Sequence, residues 1–262
     1  MIRVGVFGAA GRMGRTVCEA VAGDPALELV AAVDPMHAGV DLRQVAGVDS
    51  LLQVSAAPDA LLEAGVEVVV DFTVVDAARE NLRFAAAHGL HAVVGTTGFD
   101  EADRARLAAD FSSSSCLLAS NFAIGALLMM RFAEMAAPFF ETAEIIELHH
   151  DAKVDAPSGT ALRTAERMAA AAGERAPDPT TDMVLAGARG GLGPGGIPIH
   201  AVRLRGVFAH QEVLLGTAGQ SLTIRHDTYD RTCYAPGILL AVKHVADRPG
   251  LTLGLEQLID LA

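Results

Sequence analysis

Short apolar runs separated by segments of helical period organise the chain as far as Asn121. Residues 2–7, 27–33, 66–72, 91–94 and 117–119 are nearly continuous in Val, Ile, Leu, Ala and Phe, the pattern of strands buried on both faces. Residues 16–22, 76–88 and 101–111 space their apolar positions as helices do. Strands alternating with helices predict the α/β class with a parallel, doubly wound sheet. Beyond Asn121 the rhythm changes, to a long apolar helix over 124–135, a strand over 142–149 and a helix over 159–172. Residues 199–206, 207–216 and 221–226 then read as successive antiparallel strands, and 235–246 as a final helix. The intervening 173–198 contains Pro-Asp-Pro-Thr-Thr-Asp and Gly-Gly-Leu-Gly-Pro-Gly-Gly, which predicts a mobile loop or lid.

The length of 262 residues points to two domains rather than one core, and no internal repeat is present. The formal charge of −12 carries no basic run against it, so nucleic acid is excluded as a partner. An anionic ligand therefore needs a local positive pocket, which a helix N-terminus and a few convergent basic groups supply. Cys18, Cys116 and Cys233 are isolated, which fits reduced thiols in or near the core and neither a disulfide framework nor a zinc site. The N-terminal apolar run is too short for a signal peptide or a membrane span, and a cytoplasmic location follows by elimination.

Gly8-Ala9-Ala10-Gly11-Arg12-Met13-Gly14 follows the first strand directly and opens a helix. Such a turn brings backbone N–H groups close to a pyrophosphate at the positive end of the helix. The spacing alone is equally that of a structural turn; an acid closing the second strand, Asp34, favours dinucleotide binding. A carboxylate there accepts from ribose hydroxyls and repels a 2′-phosphate, and Pro35 follows it rather than a basic residue. NADH is therefore the expected cofactor, with NADPH tolerated through Arg12. Gly95, Thr96 and Thr97 follow the fourth strand, and Ala119, Ser120, Asn121 and Phe122 the fifth. Either segment alone is compatible with an ordinary strand-to-helix turn; at one sheet edge together they favour a nicotinamide and ribose site.

The segment from Glu147 to Ala161 gathers His149, His150, Lys153 and a helix start. Lysine occurs only at 153 and 243 among twenty basic residues, which sets Lys153 apart from surface decoration. Strand alternation places Glu147 with His149 and sends His150 to the other side, unless the strand has already ended. Ser158 is a good N-cap, behind which the N–H groups of Gly159 and Thr160 and the Thr160 hydroxyl suit a carboxylate. A capped turn without a ligand accounts for Pro-Ser-Gly-Thr in isolation; beside His-His-x-x-Lys an acid-base and anion site is the better reading. No third ligand at metal-site spacing accompanies the histidines, so no metal is expected.

Together these segments resemble the 4-hydroxy-tetrahydrodipicolinate reductase (dihydrodipicolinate reductase) family across essentially the whole chain. The resemblance implies a Rossmann dinucleotide-binding domain, residues 1–122 plus 232–262, and a mixed α/β domain, 123–231, that binds substrate and builds a homotetramer. It implies NAD(P)H-dependent reduction of 4-hydroxy-tetrahydrodipicolinate to tetrahydrodipicolinate with loss of water, in diaminopimelate and lysine biosynthesis. Catalytic roles fall to His149 and Lys153, contacts to a dicarboxylate substrate to His150, Gly159 and Thr160, and a hinge-region contact to Arg231. Two other readings stay open at this stage: a different two-domain reductase of small amino or keto acids, and a dinucleotide sensor without turnover.

Overall fold

The chain is described by a computed structural model covering residues 1–172, 175 and 177–259. Strand β1 (Ile2–Phe7) enters the glycine turn and helix α1 (Arg12–Gly23), followed by β2 (Leu27–Val33) and the short helices α2 (Leu42–Ala46) and α3 (Asp59–Glu63). Next come β3 (Val68–Asp71), α4 (Val75–Ala87), β4 (His91–Val94), α5 (Glu101–Asp110) and β5 (Ser115–Leu118). Helix α6 (Ile124–Ala136), β6 (Thr142–His149), α7 (Gly159–Ala172), β7 (Gly191–Leu192), β8 (Pro198–Arg203), β9 (Ala209–Thr217) and β10 (Gln220–Thr228) make the middle of the chain. Helix α8 (Ala235–His244) and β11 (Gly250–Leu253) close it. Two compact units result, Met1–Ala123 with Arg231–Ala262, and Ile124–Asp230.

The first unit is built on a six-stranded parallel sheet in the order β11-β5-β4-β3-β1-β2. Every residue of β3 is buried, as a strand covered on both faces must be. Because the chain runs outward from β1 to β2 and resumes at β3 on the other side, the switch point of the sheet lies between β1 and β3. Crevices at the carboxyl ends of strands open there. Phe7, Val33, Leu82, Phe111 and Cys116 belong to the core of this unit, and each fully buried side chain of the size of Leu82 contributes about 2 kcal/mol. Burial pushes the Cys18 thiol up to about 12 and raises that of Cys116 as well.

Helix α1 begins at Arg12, four residues before the helical pattern of 16–22 suggests. Gly14 disguises the start, since glycine reads as a breaker. It is required because a Cβ at 14 would lie 2.0 Å from the carbonyl oxygen of Gly8. The sequence reading missed β11, which pairs in parallel with β5 from Gly250↔Ser115 to Leu253↔Leu118. Four residues behind a proline give too little pattern to register as a strand. The helix expected over 235–246 ends at His244 and passes into a 3₁₀ turn, Val245–Asp247.

The second unit carries a mixed sheet in the order β10-β9-β6-β8-β7. The expectation of three successive antiparallel strands after residue 198 is corrected here. Strands β9 and β10 do form an antiparallel pair, but β8 and β9 flank β6 on opposite sides, and β8 runs parallel to β6. Strand β6 has buried Ala143, Ile145 and Glu147 alternating with half-buried Glu144, Ile146 and Leu148, so one face meets a core. Met168 of α7, Ala133 of α6, Ile197 and Val213 complete that core. Within the loop expected over 173–198, residues 173, 174 and 176 lie outside the described residues. The remainder includes β7, paired to β8, and Arg189, which donates to Glu144 at 2.6 Å and Asp178 at 2.9 Å. Among the described residues no helix is long and apolar enough to cross a membrane.

Candidate active site

In the first unit the predicted cofactor residues stand at the carboxyl ends of β1, β2, β4 and β5. The glycine turn is drawn tight by its own backbone. Gly8 and Ala9 donate to the Val33 carbonyl, Gly11 donates to that of Gly8, and the Ala10 N–H donates to the Asp34 carboxylate at 3.2 Å. Gly8 sits at φ 66°, a left-handed conformation that glycine adopts without cost. Gly11 is the N-cap of α1 and supplies no capping side chain, so the N–H groups of Arg12 and Met13 head the helix and are the ones placed for an anion. These features fit the pyrophosphate of a dinucleotide.

Asp34 closes β2 with its carboxylate engaged at both oxygens, by Ala10 on one side and by the Met36 N–H and His37 Nδ1, each at 3.1 Å, on the other. Three acceptor positions are used, and one of the four on a carboxylate remains for a ribose hydroxyl. After β4, the Thr96 hydroxyl is buried and donates at 2.8 Å to Asp71, while Thr97 is exposed. A side chain at Gly95 would overlap the ring of Phe72, which packs against Phe122 with ring centroids 5.3 Å apart. After β5, Ala119 donates to Val94, the Ser120 side is exposed, and the Asn121 side chain accepts from the Ala123 N–H.

Asp71 was not singled out in the sequence and proves central to this edge. Fully buried at the end of β3, it accepts from the Thr73 N–H and hydroxyl, the Thr96 hydroxyl and the Asn81 amide, all between 2.7 and 2.9 Å. The signal available was an acid terminating the run Val68-Val69-Val70, where a charge costs most unless it is hydrogen-bonded.

In the second unit, β6 ends at His149, so His150 lies outside the strand and is exposed. Glu147 and His149 share a face as alternation requires: His149 Nδ1 is 2.6 Å from Glu147 Oε2. Arg203 holds both Glu147 oxygens at 2.9 Å, and it is the register partner of His149 across the β6–β8 ladder. The fourth donor to this carboxylate is the N–H of Ser158, at 3.0 Å. Burial works to raise the Glu147 carboxyl, but the hydrogen bonds from His149 and Arg203 outweigh it and bring the pKa from 4.5 to about 2.

Ser158 caps α7, its hydroxyl accepting from Ala161 at 3.2 Å. Gly159 follows with nothing within 4 Å of the position a Cβ would take. Neither packing nor backbone conformation demands glycine there, and the space is open to a ligand. The Thr160 carbonyl accepts from Thr164. Lys153 reaches Asp155 at 2.7 and 2.8 Å, and this contact holds the Asp155 carboxyl below its ordinary range. Arg203 also donates to the Asp155 carbonyl at 2.6 Å. His149, His150, Lys153, Gly159 and Thr160 are thus gathered on one strand end, loop and helix start. Arg231 is apart from them in the chain, heading the 3₁₀ helix Arg231–Tyr234 of the first unit. Asp155 and Arg203 were missed, the latter because no local motif marks a residue that arrives through a sheet ladder. Among the described residues no group of three or more His, Cys, Asp or Glu side chains is arranged to hold a metal.

Comparison with known proteins gives a consistent result over the whole chain. The family model described as dihydrodipicolinate reductase, N-terminus, matches residues 2–122, and that described as dihydrodipicolinate reductase, C-terminus, matches 125–259. A 4-hydroxy-tetrahydrodipicolinate reductase of Nocardia farcinica is 51% identical over 268 residues, with 99% of each chain covered. One from Cutibacterium acnes is 50% identical over 268 residues and covers 100% of both. Among solved structures, the dipicolinate-bound dihydrodipicolinate reductase from Paenisporosarcina sp. TG-14 matches with a TM-score of 0.86 at 37% identity, over 98% of this chain and 99% of that one.

The depressed Glu147 carboxyl links stability to pH. Its folded pKa of about 2 lies below the ordinary 4.5, so its contribution is present above 4.5 and is lost as pH falls toward 2. The size is on the order of 3 kcal/mol. In urea unfolding across that range, the stability gap between the wild type and Glu147→Gln is expected to narrow by about this amount. A gap independent of pH would count against the ionised, four-donor carboxylate.

Proposed function

The chain belongs to the dihydrodipicolinate reductase family and is a 4-hydroxy-tetrahydrodipicolinate reductase of lysine biosynthesis, and we propose that His149 and Lys153 carry its proton chemistry. The family is one of NAD(P)H-dependent reductases, in which the reduced nicotinamide supplies a hydride. The N–H groups of Arg12 and Met13 bind the pyrophosphate, with Gly8, Ala9, Ala10 and Gly11 shaping the turn. Asp34 takes the adenosine ribose, which favours NADH over NADPH. Gly95, Thr96, Thr97 and Ala119 to Phe122 line the nicotinamide ribose side.

The substrate's carboxylates fall to the first turn of α7, where Gly159 and Thr160 offer N–H groups and Thr160 its hydroxyl, and to His150. Arg231 is assigned to the substrate by the family resemblance alone. Lys153 exchanges the Asp155 carboxylate for the ligand and donates a proton, and His149 is the second proton-handling group at the ring. The observation that carries this reading is the convergence of His149, Lys153 and the open N-terminus of α7 on one segment. The remaining face of the second unit's sheet presents half-buried Ile146, Leu148, Val202 and Leu214, which supports assembly through that sheet into a homotetramer. A cytoplasmic location belongs to the same reading.

The test is the loss of reduced-nicotinamide absorbance with NADH and with NADPH, the substrate being made in place by a synthase from pyruvate and aspartate semialdehyde. Lys153→Ala is expected to lower kcat by about 10²- to 10³-fold, and Asp34→Ala to raise the NADPH to NADH efficiency ratio about tenfold. Gly159→Ala should raise KM about tenfold with the melting temperature unchanged, because the added methyl meets only ligand. A near-normal kcat in Lys153→Ala removes its proton-donor role, and better efficiency with NADPH in the wild type removes the NADH preference. Light scattering at micromolar concentration is expected to give a tetramer; a monomer would sink the assembly reading.

A further inference from the structure

Besides binding and proton transfer, the second unit contains a buried group whose contacts join three of its elements. Glu147 is completely buried and accepts from His149 Nδ1, from both terminal nitrogens of Arg203 and from the Ser158 N–H. Ser158 is the residue that caps α7. One carboxylate therefore joins the end of β6, the end of β8 and the start of α7.

We propose that Glu147, clamped by Arg203, is the positioning residue of the reductase: it fixes His149 as the Nδ1–H tautomer, so that Nε2 faces the ligand, and ties that ring to the carboxylate cradle at α7. The argument rests on donor counting. An ionised carboxylate has only lone pairs to offer, so Glu147 cannot donate to a bare Nδ1, and the four terminal N–H groups of Arg203 are engaged by the two Glu147 oxygens and by the Val202 and Asp155 carbonyls. A ring nitrogen 2.6 Å from Glu147 must itself carry the hydrogen. Nε2 is then a lone pair in the neutral ring and an N–H in the imidazolium. When the imidazolium gives its Nε2 proton to the substrate, it returns to the neutral Nδ1–H form. The proton at Nδ1 stays in place, Glu147 remains an anion, and water restores the proton at Nε2 after product leaves.

The groups facing the imidazole follow from the packing. On its own strand there is Glu147, across the β6–β8 ladder Arg203, and across the β6–β9 ladder Ala209, which is uncharged. No other charged group competes with Glu147 for Nδ1 in these ladders. Arg203 serves a second purpose: its bond to the Asp155 carbonyl fixes the backbone of the residue that pairs with Lys153. The two proton-handling side chains are thereby referred to the same guanidinium–carboxylate pair. A carboxylate in this relation to a catalytic imidazole orients it and stabilises its charged form without taking the proton.

This inference rests on His149 being the group that meets the ligand, and the experiment separates the two. In protein labelled with ¹⁵N at histidine, with His149 assigned by substitution, the wild-type ring is expected to be Nδ1–H at high pH. Adding pyridine-2,6-dicarboxylate should then shift the Nε2 resonance. Glu147→Gln offers an acceptor on one side only; with its oxygen toward Ser158 it turns an NH₂ on Nδ1. The ring is expected to switch to Nε2–H, kcat to fall about 10²-fold, and the dissociation constant for pyridine-2,6-dicarboxylate to stay within about threefold. An Nε2–H ring in the wild type overturns the proposal, as does a Glu147→Gln enzyme with kcat within about threefold of normal. Equal losses in kcat and in dicarboxylate binding also overturn it, by showing a general structural role. If Glu147→Gln does not fold, the wild-type tautomer decides alone. A ligand that leaves the His149 resonances unmoved fails the parent reading instead.

Discussion

A carboxylate sealed from water sets the terms for the second unit. Removing an ion from water costs several kcal/mol even after relaxation, and Glu147 recovers that cost only by filling its lone pairs with donors from three elements. Arg203 must therefore stand at the end of β8, His149 two residues beyond Glu147 on β6, and Ser158 at the mouth of α7. Each also has a part in the site: a ring for protons, a cap that leaves Gly159 exposed, and a guanidinium that steadies the Lys153 loop. On the proposed mechanism, stability and catalysis draw on the same four hydrogen bonds. Changes at this carboxylate consequently act on both at once.

The first unit solves its own problem differently. Its sheet brings loops to one edge, and the sharpest of them is held by backbone bonds to Val33 and Gly8 together with the Asp34 carboxylate. Two acids then organise the edge. Asp34 steadies the glycine turn from the end of β2, and Asp71 gathers hydroxyls and an amide at the end of β3. Its donors, from Thr73, Asn81 and Thr96, are uncharged.

Much of this was legible in the sequence because it rests on local pattern. The apolar runs 27–33 and 91–94 and the alternation through 142–149 read correctly to the residue, since each keeps one pattern and stops at a polar residue or glycine, Asp34, Gly95 and His150. Gly14 misled the start of α1 because its reason for being glycine is a contact with Gly8, not a break in the helix. Strand β11 was hidden because four residues derive their strand character from β5, more than a hundred positions earlier. The acid-base segment stood out through lysine scarcity and the Ser158 cap. Arg203, by contrast, is brought to Glu147 by a parallel ladder, and nothing in Val202-Arg203-Leu204 announces that meeting. Local chemistry was readable, whereas long-range partnership was not.

The pairing of β11 with β5 has a consequence for how the molecule comes into being. The first unit is interrupted by the second: residues 124–230 intervene between β5 and the helix and strand that finish the sheet. During synthesis, β5 emerges with an unpaired edge and keeps it until Gly250–Leu253 appears. The second unit is complete before that point, because all five of its strands lie within one uninterrupted stretch. The fold thus orders its own assembly in reverse of the sequence, with the half that begins the chain the last to close.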